Sequence, residues 1–302
     1  MSFSWRLFGI SGISVHLHWT WLLVAWFMID SRRDHYHYTI FAAAEYLMLF
    51  LIVLLHEFGH ALAARSVGGQ ADRIVLWPLG GIAFVRTPPR PGAQLWSIVA
   101  GPLVNVALVP LTLPLAIQLW NRPGDLAELV RAVSIINLAL LIFNLLPIFP
   151  LDGGQILQSL LWFIVGRGRS LVIAGWIGVV GAVGGLAAAS YFGVAGFWLA
   201  LIAVFAALQA WGAVHNGRML MRFEQVPRRF ECTCPRCGAH PPAAPVWSCD
   251  VCGIPADPLQ TPAGCPRCGV PWVELRCPDC GMSSPILLWR VVESVPVDSH
   301  YA

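Results

Sequence analysis

The 302-residue chain contains no lysine; all 19 of its basic residues are arginine. Charge of either sign is scarce, at 12% of residues against about 25% in soluble globular domains. Cysteine is missing from the first 231 residues, and all nine cysteines fall between Cys232 and Cys280. Each shortage excludes something. So little charge, beside 57% hydrophobic residues and a mean hydropathy of +0.67, excludes an ordinary soluble domain and points to a membrane protein. A net charge of +3 argues against nucleic acid, whose expected footprint is a basic patch. The missing lysine, beside abundant Ala and Gly, is a sign of coding bias more than of function. No removable signal peptide is apparent. The first apolar run starts near Val15, carries two histidines, ends at Asp30 and lacks a small-residue cleavage site.

What is present divides the chain in two. Residues 1–217 hold 11 Arg and 8 acidic residues, and residues 218–302 hold 8 of each. The expected organisation is a membrane domain at 1–217, a linker at 218–231, a cysteine-rich domain at 232–285 and a C-terminal tail at 286–302. A spanning helix needs about 20 mostly apolar residues, and six runs qualify as candidates: Ile13–Ile29, Thr39–Arg65, Leu95–Trp120, Leu129–Phe149, Leu171–Tyr191 and Val194–Val214. The expected fold class is an all-α polytopic membrane protein with about six transmembrane helices and a small zinc-ribbon domain. The stretch from Leu76 to Val85 is too short to cross and contains Pro78, Gly80 and Gly81. Irregular apolar backbone survives at membrane depth only against protein or a wet cavity, so a re-entrant hairpin is expected there. Ile156–Val165 reads as an interfacial segment.

Arginine placement gives an orientation. With the N-terminus inside, Arg6, Arg65, Arg73, Arg86, Arg90, Arg167, Arg169 and the Arg218–Arg229 cluster lie inside; only Arg32, Arg33, Arg122 and Arg131 lie outside. Both termini are then cytoplasmic, in a multi-pass membrane protein. That compartment is reducing, so its cysteines are expected to bind metal rather than form disulfides.

The second run contains His56-Glu57-Phe58-Gly59-His60. Histidines at i and i+4 share a helical face and suit two imidazoles on one zinc ion. Glu57, rotated by roughly 100°, can take a proton from water held there; this is the metalloprotease arrangement. A carboxylate near the bilayer centre costs about 2.5–3.5 kcal/mol, which favours a functional reading over an incidental polar patch. A catalytic zinc needs a third protein ligand and an open position. Asp152, after Pro147 and Pro150 and before Gly153-Gly154, is the best candidate, with a solvated turn as the alternative. Weaker features read as structural. Glu45 suits interfacial anchoring, and His16 and His18 suit the headgroup level. His35-x-His37 has the spacing of a second metal site, with a plain outer-loop pair as the alternative. The glycines between Gly175 and Gly185 permit close helix packing.

Taken together, His56-Glu-Phe-Gly-His60, Gly101-Pro-Leu-Val-Asn105 and Asn144-Leu-Leu-Pro…Pro-Leu-Asp152-Gly-Gly resemble the site-2 protease family of intramembrane metalloproteases over roughly residues 5–215. Phe58 replaces the commoner Leu, and no PDZ-like insertion or CBS pair is visible. The resemblance implies His56, His60 and Asp152 as ligands of a catalytic Zn²⁺, Glu57 as catalytic base, and Asn144 near the substrate carbonyl. It implies a membrane-protein substrate, for example a regulatory protein such as an anti-sigma factor, held in membrane lipid. Helical substrates must unwind before cleavage, so helix-breaking residues near the cut should help. A zinc transporter or metal-sensing scaffold is the competing reading.

Four knuckles follow in the tail: Cys234-x-x-Cys237, Cys249-x-x-Cys252, Cys265-x-x-Cys268 and Cys277-x-x-Cys280, each succeeded by Gly. Eight thiolates make two tetrahedral Cys₄ sites, resembling a double zinc ribbon with two structural Zn²⁺. Sequential pairing of the knuckles is simplest, with interleaved pairing as the alternative. Cys232 is left over. A domain this small needs zinc to fold, and a protein partner is the expected use of its surface.

Overall fold

Alternation, more than length, decides what the first apolar run becomes. Ile13, Val15 and Leu17 alternate with Ser14, His16 and His18, the period of a strand. In the computed structural model, which describes residues 4–77, 80–193 and 196–291, this run forms strand β2 (Ile13–His18) and then a helix of only 13 residues, α1 (Thr20–Arg32). A turn at Ser11-Gly12, both at positive φ, folds β2 back on β1 (Ser4–Ile10). The predicted helical span Ile13–Ile29 is therefore corrected. Its first part is a strand, and α1 rises only about 20 Å.

The predicted re-entrant segment is a β-hairpin, β3 (Gln70–Trp77) and β4 (Gly80–Arg86), because Ile74, Val75 and Val85 favour strands. Pro78 and Leu79 lie outside the described residues. The sheet order is β1-β2-β3-β4, with β2 parallel to β3. Ile13, Val15, Ile74 and Leu76 are fully buried against Val53, Leu54 and Ala61 of the next helix, α2 (Thr39–Ser66). The all-α expectation thus gives way to a mostly helical domain carrying one four-stranded sheet.

Among the described residues, five helices are long and apolar enough to cross a membrane: α2, α3 (Pro91–Gln118), α4 (Asp125–Leu145), α6 (Arg167–Tyr191) and α7 (Phe197–Glu224). Between α4 and α6 lies the 14-residue α5 (Asp152–Val165). It buries Gln158 and Ser159 and exposes Phe163 and Ile164. Gln158 accepts from Gln94 of α3 (2.7 Å) and donates to Ser170 of α6 (3.1 Å), tying α5 on two sides. Three α6 glycines allow close approach. A Cβ on Gly175 would meet the Ala210 carbonyl oxygen at 2.9 Å, one on Gly178 the Phe149 carbonyl oxygen at 2.9 Å, and one on Gly181 the Ile148 side chain at 2.9 Å. Gly184 and Gly185 meet nothing within 4 Å.

Glu45 is buried near the start of α2 and is held by several partners. Arg32 Nε donates to both its oxygens (3.0 and 3.1 Å), and the Tyr36 hydroxyl donates to Oε2. Arg32 also reaches Glu128 (3.2 Å), which pairs with Arg131 (2.8 Å), while Arg131 caps the carbonyls of Leu119, Trp120 and Arg122. This network joins α1, α2 and α4. Burial and the neighbouring carboxylate both raise the Tyr36 pKa above its ordinary value, so the phenol stays a proton donor.

The chain divides into two units, Met1–Met219 and Leu220–Ala302. In the second unit each knuckle repeats one turn. Gly238, Gly253, Gly269 and Gly281 all have φ near 70°, and each donates its N–H to the carbonyl of the first cysteine of its own knuckle. The pairing is nested: the first knuckle meets the fourth (Cys234, Cys237, Cys277, Cys280) and the second meets the third (Cys249, Cys252, Cys265, Cys268). This corrects the sequential expectation. The physical reason lies at the ends of the domain. Strand β5 (Cys232–Thr233) pairs with β10 (Arg290–Val291), Arg228 forks onto Asp279 (2.7 and 3.1 Å), and Trp289 and Leu275 pack on Cys234 and Cys277. Sulfur–sulfur separations of 3.8 and 4.0 Å in one group and 3.6 Å in the other match the edge of about 3.8 Å expected for a tetrahedron with metal–sulfur distances near 2.3 Å. The Cys₄ donor sets therefore fit zinc.

Candidate active site

The helical spacing of α2 sets two imidazoles on one face, and their neighbours fix which nitrogen points inward. His56 Nδ1 faces Asn105 Oδ1 at 2.6 Å, and His60 Nδ1 faces the Ser97 carbonyl at 2.8 Å. A carbonyl oxygen only accepts, so each Nδ1 carries a proton, and in the neutral ring Nε2 then keeps a lone pair. The two Nε2 atoms lie 3.1 Å apart. Asp152 Oδ2 completes a triangle, 3.0 Å from His56 Nε2 and 3.4 Å from His60 Nε2, and is buried without a hydrogen-bond partner. With both rings neutral, three lone-pair atoms converge with no proton among them, an arrangement that suits a cation. The edges of 3.0–3.4 Å suit ligand distances of about 2.0–2.1 Å in a tetrahedral zinc site, whose edge is about 3.3 Å. The donor set fits zinc with one position left for water or substrate.

Glycine permits each close approach around this triangle. A Cβ on Gly101 would lie 2.3 Å from His60 Nε2 and 2.8 Å from His56 Nε2, and one on Gly81 would lie 2.2 Å from Glu57 Cγ. The backbone of β4 thus rests directly on Glu57. Ala83 N–H donates to Glu57 Oε2 (3.0 Å), leaving Oε1 without a hydrogen bond among the described residues. Asp152 reaches the histidines because α4 stops at Leu145 and α5 begins at Asp152 itself. The first turn of α5 then packs on the chain before it. A Cβ on Gly153 would stand 2.3 Å from the Leu145 carbonyl oxygen, and one on Gly154 would stand 2.4 Å from the Phe149 amide nitrogen. Asn144, in the last turn of α4, is half-buried, and its amide makes no hydrogen bond among the described residues.

The model for peptidase family M50 matches residues 44–123 and 121–188, the stretch that contains His56, Glu57, His60, Asn144 and Asp152. Residues 44–188 thus form a peptidase family M50 region. Relatives extend the match. A zinc metalloprotease from Methanocaldococcus jannaschii is 36% identical over 178 residues, 59% of this chain and 51% of that protein. Stage IV sporulation protein FB from Bacillus subtilis is 31% identical over 149 residues, 48% of this chain and 46% of that one. A solved structure, the site-2 protease from Methanocaldococcus jannaschii, is 31% identical, covering 70% of this chain and 95% of that chain with a TM-score of 0.49. The chain spans about half the length of the curated relatives it matches.

In this region the metal-sized triangle is legible from residue type and spacing, and what surrounds it is not. Asn105 was visible only as part of a motif, and Asn137, fully buried, was not singled out. The usable signal was an amide between Ile136 and Leu138 in an apolar span, where polar groups are costly and tend to be functional. Ser97 and Ala83 act through backbone atoms, which no residue type reveals. His35 and His37 join no candidate metal group among the described residues.

Proposed function

We propose that this chain is a zinc metalloendopeptidase that hydrolyses peptide bonds in or near transmembrane segments of membrane proteins. The convergence of His56, His60 and Asp152 on one point, with Glu57 pinned beside His56 by β4, carries the reading. The three side chains hold the ion. When bound, zinc polarises water and the scissile carbonyl. Glu57 Oε1, free of other partners among the described residues, accepts the proton of the attacking water and later returns it to the leaving amine. Asn144 presents its uncommitted amide to the developing oxyanion. The free edge of β4 directs the Ala83 N–H at Glu57, so a substrate unwound into an extended strand can add along that edge. Helix-breaking residues near the cut therefore favour cleavage. A regulatory membrane protein is the substrate class that the resemblance to site-2 proteases implies.

The same reading gives a topology of six crossings, one of them composite. Arg65 binds the carbonyls of Ser11 and Gly12, where β2 begins, and Arg32 at the end of α1 binds Glu45. Between Glu45 and Arg65, α2 rises about 30 Å, equal to the hydrocarbon thickness of about 30 Å. Strand β2 and helix α1 thus traverse the bilayer beside it. Both termini then lie on the arginine-rich, cytoplasmic side, and the tail with its two structural zinc ions serves as a regulatory or partner-binding module. Nothing among the described residues favours the transporter alternative. The test is Glu57→Gln in the purified protein. Cleavage of a membrane-segment substrate should be lost while the zinc content stays at the wild-type value; retained cleavage removes the proposal.

A further inference from the structure

The buried pair Asn105 and Asn137 lies on the outer side of His56, and its hydrogen bonds run in one direction only. Asn137 Nδ2 donates to the backbone carbonyl of Asn105 at 3.0 Å. That carbonyl has no proton to give, so Asn137 must turn its NH₂ toward it and its Oδ1 the other way. Asn137 Oδ1 then accepts from Asn105 Nδ2 at 2.9 Å, which leaves Asn105 Oδ1 to face His56 Nδ1 at 2.6 Å. Both asparagines have 0% exposure, so water does not compete for these groups. The chain of constraint begins at a backbone oxygen and ends at an imidazole tautomer.

We infer that Asn137 is a positioning residue that sets the polarity of the Asn105 amide and so keeps the His56 Nε2 lone pair aimed at the site. The inference rests on the metal-site reading above. Without Asn137, the two ends of the Asn105 amide are nearly isosteric. A flipped Asn105 would offer NH₂ to His56 Nδ1, which must then accept, and the proton moves to Nε2, where it blocks ligation. A ring nitrogen that loses its outer partner typically costs a metal site 10- to 100-fold in affinity.

A carboxylate has no wrong end, which gives a discriminating test. In purified full-length protein, zinc affinity is measured by chelator competition for the ion that a His60→Ala control lacks. Asn137→Leu should weaken that affinity at least tenfold. Asn105→Asp combined with Asn137→Leu should restore it to within about threefold of wild type, because either oxygen of an aspartate at 105 accepts from His56 Nδ1. The ¹⁵N chemical shifts of His56 should report protonated Nδ1 in wild type and in the double variant, and a mixture of tautomers in Asn137→Leu. If Asn137→Leu binds zinc as wild type does, or if the double variant is no better than Asn137→Leu alone, Asn137 acts by packing and the inference is overturned. If the His60→Ala control holds as much zinc as wild type, the metal-site reading itself is what has failed.

Discussion

Gly101→Ala adds a single methyl group and should empty the active site of metal. On the existing backbone the new Cβ would lie 2.3 Å from both Cε1 and Nε2 of His60 and 2.8 Å from Nε2 of His56, where ordinary contact begins at 3.4 Å. Relieving the overlap requires a shift of about 1 Å, and a misplacement of that size costs roughly 10²-fold in rate. The rings have little freedom to yield, since each Nδ1 is tethered, to Asn105 Oδ1 and to the Ser97 carbonyl. Nor can α3 retreat easily, because it packs on α2 closely enough that a Cβ on Gly59 would meet the Ala100 carbonyl oxygen at 2.6 Å. The methyl also sits against both Nε2 lone pairs. The expected result is a fall from three zinc ions per chain to two, with the tail sites unaffected, and a loss of at least 100-fold in single-turnover cleavage. Metal content by elemental analysis and cleavage of a fluorogenic membrane-segment substrate give the two readouts. Gly184→Ala, whose Cβ meets nothing within 4 Å, is the matched control. A Gly101→Ala protein that keeps the third ion and cleaves at the wild-type rate would refute the placement of α3 against the histidines.

Other perturbations test other parts. Gly153→Ala forces a methyl into the Leu145 carbonyl; it should displace Asp152 and lower zinc affinity and turnover together, measured by the same competition and cleavage assays. Arg32→Ala leaves the Glu45 carboxylate buried with Tyr36 as its remaining partner. Breaking a buried pair costs about 3–5 kcal/mol, and Arg32 is a quarter exposed, so a loss on the order of 2 kcal/mol is expected. Thermal denaturation in detergent would show it, and Arg32→Ala combined with Glu45→Gln should recover part of the loss. Cys277→Ser should release one zinc and raise the alkylation rates of Cys234, Cys237 and Cys280 while leaving Cys249, Cys252, Cys265 and Cys268 protected. Exposure of Cys265 and Cys268 instead would restore sequential pairing.

The amino-acid sequence alone determined what depends on local spacing. Histidines four apart on an apolar helix, an acid after a proline-broken span and four Cys-x-x-Cys-Gly turns are each set by neighbours a few residues away. Residue type and interval suffice to read them. Only the tertiary structure decided what depends on partners distant along the chain. Ile13–His18 alternates as a strand does, but which strand it would pair with, Ile74 and Leu76 some 60 residues on, only the fold decided. Which knuckles share a metal turned on β5 meeting β10 at the far end of the domain. The tautomers of His56 and His60 turned on an amide and a backbone carbonyl of α3. A side chain's chemistry is local, but the groups that orient it arrive from other elements, and folding alone brings them there.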